Sequence, residues 1–271
     1  MERLDIDGVS VRCAQSGPVD APIVIMSNSL AADLTMWEPQ AEKLQQDFHI
    51  VRFDARGHGQ TSASPGDYTL ELLVDDVLGL MNRLSIESAH FIGLSLGGMI
   101  GQLLAARAPE RIASLILCAT FAESPSNLWA ERVRAVRRSG VGELVEGTLE
   151  RWFTPTFRAN QPAVIDRVRR MIASTSAEGY AGCAAAIRDM DFSGVPEAIG
   201  CPTLLIGADE DISASPAAMQ ALHKRISGSE YVQIDRAAHL FTLEQPEKAA
   251  ALMAEFLARQ SERAARVQGS R

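Results

Sequence analysis

The sequence predicts an α/β protein: a mostly parallel central sheet flanked by helices, with an inserted helical cap. Three observations carry that prediction. Short runs rich in Ile, Val and Leu recur along the chain, each the length of a buried strand and each ending near Gly, Ser, Asp or Asn. Segments with helical spacing lie between them, and strand alternating with helix implies a parallel sheet covered on both sides. The alternation is broken once, between Cys118 and Thr203.

Taken in order, the runs PIVIMS (22–27) and HIVRFD (49–54) lead to TLELLVDDVLGLMNRL (69–84), where Leu70, Leu73, Val77 and Leu80 share one helical face. HFIGLS (90–95) and SLILCA (114–119) bracket a helix-like stretch from Leu96 to Arg107. Residues 122–195 are helix-like, Arg-rich and Trp-containing, with turn signals at Pro125, Gly140, Pro155 and Pro162. This segment is the expected cap, set over the carboxyl edge of the sheet where open α/β sheets bind ligands. TLLIGA (203–208) and EYVQID (230–235) resume the sheet, and PEKAAALMAEFLA (246–258) completes the wrap. The core is thus expected over 1–121 and 196–260, the cap over 122–195, and a polar, frayed tail over 261–271.

Composition narrows the function. The 271 residues suit one α/β unit, and 46% hydrophobic with 22% charged residues is ordinary globular usage, which sets aside disordered, collagen-like and coiled-coil readings. A net charge of −8 argues against nucleic acid or anionic lipid as partner, since both need clustered Lys and Arg. Cys13, Cys118, Cys183 and Cys201 are scattered with no CxxC pair, so free thiols in a reducing compartment and no metal are expected. The first residues, MERLDIDGVSVRC, lack the features of a signal peptide, and no run approaches the roughly 18 apolar residues of a membrane span. The expectation is a cytoplasmic protein acting on a small molecule.

The chemistry is carried by GLSLG (93–97), a match to G-x-S-x-G that follows a strand-like run and opens a helix-like one. That setting is what a nucleophile elbow requires, whereas a serine N-cap alone would not need glycine on both sides. Small residues on each side of Ser95 let the backbone fold sharply. A serine hydroxyl needs a base, and the base an orienting acid, which in this architecture follow the serine in the order acid, then His. Asp211, in LIGADEDISASP after the 203–208 strand, is the candidate acid, with Asp209 and Glu210 as neighbours in the same loop. His239, in IDRAAHLFTLEQP, is the candidate base. His49 and His90 flank strand starts, His223 lies on a surface-type helix, and His58 sits in a Gly-rich loop that precedes Ser95 in sequence. The oxyanion needs two preorganised donors, assigned to the backbone N–H groups of Leu96, directly after the nucleophile, and of Leu30, in the loop SNSLAADLTMW.

These stretches resemble the α/β-hydrolase superfamily over nearly the whole chain. Within it the sequence is similar to the 3-oxoadipate enol-lactonases of aromatic catabolism. The resemblance rests on SNSLAADLTMWEPQ (27–40), VRFDARGHGQTSASPGDYTLELLVDD (51–76), AHFIGLSLGGMIGQ (89–102), RWFTP (151–155), EGYAGCAAAIRDMD (178–191) and AAHLFTLEQPE (237–247). Asn28-Ser29 stands where many members have His-Gly, a feature of the enol-lactonase group. The resemblance implies the same triad and oxyanion donors, no cofactor, and a cap that shapes the pocket through Trp129 and Trp152. One departure is Glu123, an acidic residue set against a substrate that carries its own carboxylate, so the anion is expected to be met by Arg132 or Arg134.

The expected reaction is serine hydrolysis of a small lactone through an acyl-enzyme. Rivals that keep the triad are a carboxylesterase, a perhydrolase side activity or a carbon–carbon hydrolase. A non-catalytic ligand-binding protein would have lost a triad member, and Ser95 excludes the Asp nucleophile of related dehalogenases and epoxide hydrolases.

Overall fold

The computed structural model describes residues 1–124 and 126–269, with side chains up to Arg263; Pro125 and the last two residues of the expected tail lie outside the described residues. Its centre is an eight-stranded sheet: β1 (Glu2–Ile6), β2 (Val9–Ser16), β3 (Ile23–Ser27), β4 (His49–Phe53), β5 (Ala89–Leu94), β6 (Ile112–Cys118), β7 (Thr203–Ala208) and β8 (Glu230–Ile234). The strand order is β1-β2-β4-β3-β5-β6-β7-β8, and every pairing from β4 to β8 is parallel. The continuous apolar runs of β5 and β7 are buried at every residue, as a strand covered on both faces must be.

The sequence reading passed over β1 and β2. They form an antiparallel hairpin across Asp7-Gly8 and pair antiparallel with β4 at the sheet edge. In β1 only Leu4 and Ile6 are buried, so the segment shows alternation in place of an apolar run. An Asp-Gly pair between alternating residues is a hairpin signal, and it was available.

Helices cover both faces. After β3 comes α1 (Glu38–Leu44), after β4 α2 (Leu70–Arg83) and after β5 α3 (Leu96–Arg107). Thr69 caps α2 by accepting from the Leu72 N–H at 3.1 Å, and Leu70, Leu73, Val77 and Leu80 are buried together with Val74 and Met81. After β6 the inserted segment contributes α4 (Ser126–Ser139), α5 (Val145–Trp152), α6 (Pro155–Asn160), α7 (Pro162–Ala173) and α8 (Ala177–Arg188). The core resumes with α9 (Val195–Ala198), α10 (Pro216–Arg225), α11 (Phe241–Glu244) and α12 (Pro246–Gly269). One layer joins α1, α11 and α12; the other runs α2, α3, α9, α10.

The last helix does not stop near 258 but runs into the segment expected as a polar tail. Residues 261–269 contain no proline, Arg259 pairs with Glu255 one turn back, and the Ser261 hydroxyl donates to the Leu257 carbonyl at 3.1 Å, so the helix continues to Gly269.

Inside the inserted segment α4 packs on α8 and α5 on α7. It docks on the core through α8, whose Gly182 carbonyl accepts from the Tyr68 N–H at 3.2 Å. Gly179 lies so close to the loop after β4 that an added Cβ would stand 2.3 Å from the Gly57 carbonyl oxygen. Both partners are backbone, so nothing can swing aside. Gly179→Ala is therefore expected to cost about 1–3 kcal/mol, read as a fall of a few degrees in Tm. An unchanged Tm would mean that the cap is not docked through this contact.

Candidate active site

Ser95 occupies the corner between β5 and α3 with φ 55 and ψ −111, a conformation that costs a non-glycine residue on the order of 1–3 kcal/mol. The neighbouring glycines do not themselves adopt positive φ; they make room. An added Cβ on Gly93 would stand 2.1 Å from the Gly97 carbonyl oxygen, and one on Gly97 would stand 2.2 Å from that of Ser27. The corner is held by the Ser95 N–H donating to the Cys118 carbonyl at 2.9 Å, and by the Thr120 hydroxyl donating to the Ser95 carbonyl at 2.9 Å. The Ser95 side chain makes no capping bond to α3, which leaves the hydroxyl free for other work and removes the reading of a simple N-cap.

Asp211 lies in the loop after β7 and is 2% exposed. One carboxylate oxygen accepts from the Ser213 and Ala214 N–H groups at 2.7 and 3.0 Å, and the other accepts from His239 Nδ1 at 2.8 Å. The bond fixes the imidazole, leaving Nε2 as the nitrogen free to meet a hydroxyl. Asp209 and Glu210, the competing acids, are exposed; Asp209 instead accepts from the Ala237 N–H at 3.2 Å. His239 itself follows β8, is buried, and has the Trp152 ring beside it at 6.4 Å between centroids.

Ser95, His239 and Leu30 line one cavity of about 280 Å³, together with Trp129, Arg132 and Trp152 of the inserted helices. Leu96 opens α3, so its N–H is among those without an intrahelical acceptor. The other histidines are elsewhere. His49 meets Gln15, His90 meets Ser114 and His223 meets Ser229, while His58 is bonded through Nδ1 to the Arg56 carbonyl. Burial pulls His58 and His90 down to about 4, which keeps both neutral near pH 7.

The cap residues fall into two groups. Arg134 is exposed and does not reach the cavity. Arg132 lies over the Trp129 ring at 4.6 Å; burial pushes the titration of the Tyr180 phenol up, and the charges of Arg132 and Arg151 draw it down. Sequence reasoning missed Arg151 and Tyr180, which also line the cavity. Burial, and then the charge of Arg132, hold the Arg151 guanidinium below its ordinary range; it donates to the Thr148 hydroxyl at 3.0 Å. Among the described residues the buried Trp129 Nε1 has no hydrogen-bond partner. Among the described residues neither Arg132 nor Arg151 makes an ion pair, so two guanidinium side chains line the cavity with no carboxylate of the protein beside them. Glu123 sits at the rim with its side chain 92% exposed, 3.8 Å from Arg225, so its charge is directed to the outer surface. It still lines the rim of the cavity, but its ion pair is with Arg225 on the outside and not with Arg132 or Arg151.

Nothing in the described residues groups three or more His, Cys, Asp or Glu as metal ligands, and no described helix is long and apolar enough to cross a membrane.

Three comparisons agree on the kinship of this arrangement. A family model described as the alpha/beta hydrolase fold matches residues 22–246. The 3-oxoadipate enol-lactonase 2 of Acinetobacter baylyi is 34% identical over 91% of this chain and 92% of its own. Among solved structures, the enol-lactonase from Burkholderia xenovorans LB400 superposes with a TM-score of 0.93 at 36% identity, covering 95% of this chain and all of that one. A thermophilic esterase from Thermogutta terrifontis, solved with malate bound, gives a TM-score of 0.91 at 31% identity over 96% of this chain and 99% of its own. Eight strands in this order, a serine at the strand-to-helix corner and relatives matched over nine-tenths of the chain lead to one conclusion: the protein belongs to the α/β-hydrolase family and is a hydrolase acting on ester bonds.

Proposed function

We propose that the protein opens a small lactone bearing a carboxylate, with 3-oxoadipate enol-lactone as the substrate that fits best, through Ser95 as nucleophile, His239 as base and Asp211 as orienting acid. The observation that carries this reading is the pair of unpaired cap guanidiniums, Arg132 and Arg151, lining the same cavity as Ser95 and His239. Both guanidiniums are half-buried; a partly desolvated cation without a counter-ion is costly, and a carboxylate ligand supplies one. The enol-lactonase names of the relatives point the same way.

In this mechanism His239 Nε2 takes the Ser95 proton as Oγ attacks the carbonyl carbon. Asp211 holds the proton on Nδ1 and stabilises the imidazolium. The Leu30 and Leu96 N–H groups receive the oxyanion. Collapse expels the enol oxygen, which takes the proton from the His239 imidazolium and stays tethered to the acyl chain; neutral His239 then deprotonates the attacking water, and as the acyl-enzyme cleaves it returns that proton to Ser95 Oγ. Ketonisation of the released enol makes ring opening hard to reverse. No step calls for a metal or organic cofactor.

Arg132→Ala tests the substrate assignment. It is expected to lower kcat/KM for the enol-lactone by about 10- to 100-fold, the loss of one charge-assisted contact, while turnover of a neutral aryl ester falls far less. An equal loss on both would tie Arg132 to cap packing and not to an anion. One observation favours a second reading, a carboxylesterase: Leu128 and Ile212, 44% and 74% exposed, flank the mouth of the cavity and suit an untethered apolar alcohol. Preference for p-nitrophenyl butyrate over the lactone would select it.

A further inference from the structure

His239 sits on a loop, and a base on a loop must be held in place by something. Three backbone N–H groups around it have identified acceptors. Ala237 donates to the Asp209 carboxylate at 3.2 Å, Ala238 to the Glu244 carboxylate at 3.0 Å, and Leu240 to the Trp152 carbonyl of the cap at 2.9 Å. Glu244 stands apart in this set because its two oxygens serve two segments. While Oε2 accepts from Ala238, Oε1 accepts from the Thr154 N–H at 3.2 Å and from the Thr154 hydroxyl. Thr154 is two residues past Trp152, whose ring lies beside His239. The carboxylate is half-buried; burial pushes its titration up and these donors pull it down.

We infer that Glu244 is a positioning residue for the general base: it clamps the backbone next to His239 to the cap at Thr154, so that the base and the cap wall move as one body. The inference rests on the reading of His239 as base. Its physical content is a count of acceptors. A carboxylate accepts at both oxygens, whereas a glutamine offers one acceptor and one N–H₂, so Glu244→Gln sets a donor against either Thr154 or Ala238 whichever way it turns. The loop that carries His239 then loses one of its ties, and displacements near 1 Å at a reacting group can cost about 100-fold in rate.

The experiment measures turnover of 3-oxoadipate enol-lactone and p-nitrophenyl acetate per active site, with sites counted by stoichiometric fluorophosphonate labelling. Glu244→Gln and Thr154→Val are expected to lower kcat per labelled site by about 10- to 100-fold with KM within about twofold, and Thr154→Ser, which keeps the hydroxyl, to recover most of what Thr154→Val loses. A purely structural role would lower Tm and the number of labelled sites and leave turnover per site unchanged; that result would overturn the clamp. Thr154→Val keeps the question answerable should Glu244→Gln fail to fold. His239→Ala, run beside them, separates the two levels: activity surviving in it would overturn the triad and the clamp with it, whereas a dead His239→Ala beside a fully active Glu244→Gln overturns the clamp alone.

Discussion

Ser95→Ala is expected to lower kcat/KM by at least about 10⁴-fold on any ester or lactone the enzyme turns over, the scale at which only the oxyanion donors and binding remain. The reasoning is geometric. Ser95 is held in a strained conformation by the Cys118 carbonyl and the Thr120 hydroxyl, and its side chain makes no capping bond to the helix it begins. Strain that does nothing for the helix is accounted for by a role at the cavity. The substitution removes only a hydroxyl and leaves the corner's backbone bonds in place, so Tm is expected to stay within a few degrees of the parent. Fluorophosphonate labelling checks the same point without a substrate: one adduct on the parent chain, at Ser95, and none on the variant. Labelling at another serine would place the nucleophile elsewhere.

Asp211→Asn is expected to lower kcat by about 10⁴-fold for a different reason. The Ser213 and Ala214 N–H groups bond one carboxylate oxygen, so an asparagine would keep its carbonyl there and turn its N–H₂ toward His239 Nδ1. The amide donates, so Nδ1 would have to accept, and the imidazole proton would move to Nε2, the nitrogen that must receive the serine proton. The fold stays and the tautomer is wrong. The measurement is kcat together with the Nε2–H and Nδ1–H resonances: a switch of the ring proton from Nδ1 to Nε2 accompanies the loss if the account holds. A variant with full activity would leave Asp211 as a structural loop anchor.

Much of this was legible in the sequence because parallel strands and a nucleophile elbow leave local marks. β3, β5, β6 and β7 are apolar runs because both of their faces are covered, and Ser95 stands out because close backbone approach on both sides requires glycine. The edge hairpin was missed for the converse reason, since β1 is half exposed and alternates. The role of Gly93 and Gly97 was legible only in part. Steric room was expected of them, but the positive φ belongs to Ser95. What left no local mark is what depends on distant segments meeting. Arg151 and Tyr180 join Arg132 only once α4, α5 and α8 pack together; RWFTP and EGYAGCAAAIRDMD mark both positions as family stretches, but not that their side chains meet at one cavity. The outward turn of Glu123 follows from Arg225 on α10, about a hundred residues on. Thr154 and Glu244, 90 residues apart, meet only because the chain after α5 returns beside the loop that carries His239.

The most direct measurement is the parent enzyme's kcat/KM on freshly generated 3-oxoadipate enol-lactone, set beside a neutral short-chain aryl ester. The account predicts a value of about 10⁴ M⁻¹s⁻¹ or higher for the lactone, well above that for the ester, since only the lactone brings a carboxylate to Arg132 and Arg151. Brisk ester turnover with a silent lactone would contradict it, leaving a serine hydrolase whose cap cations serve some other anion.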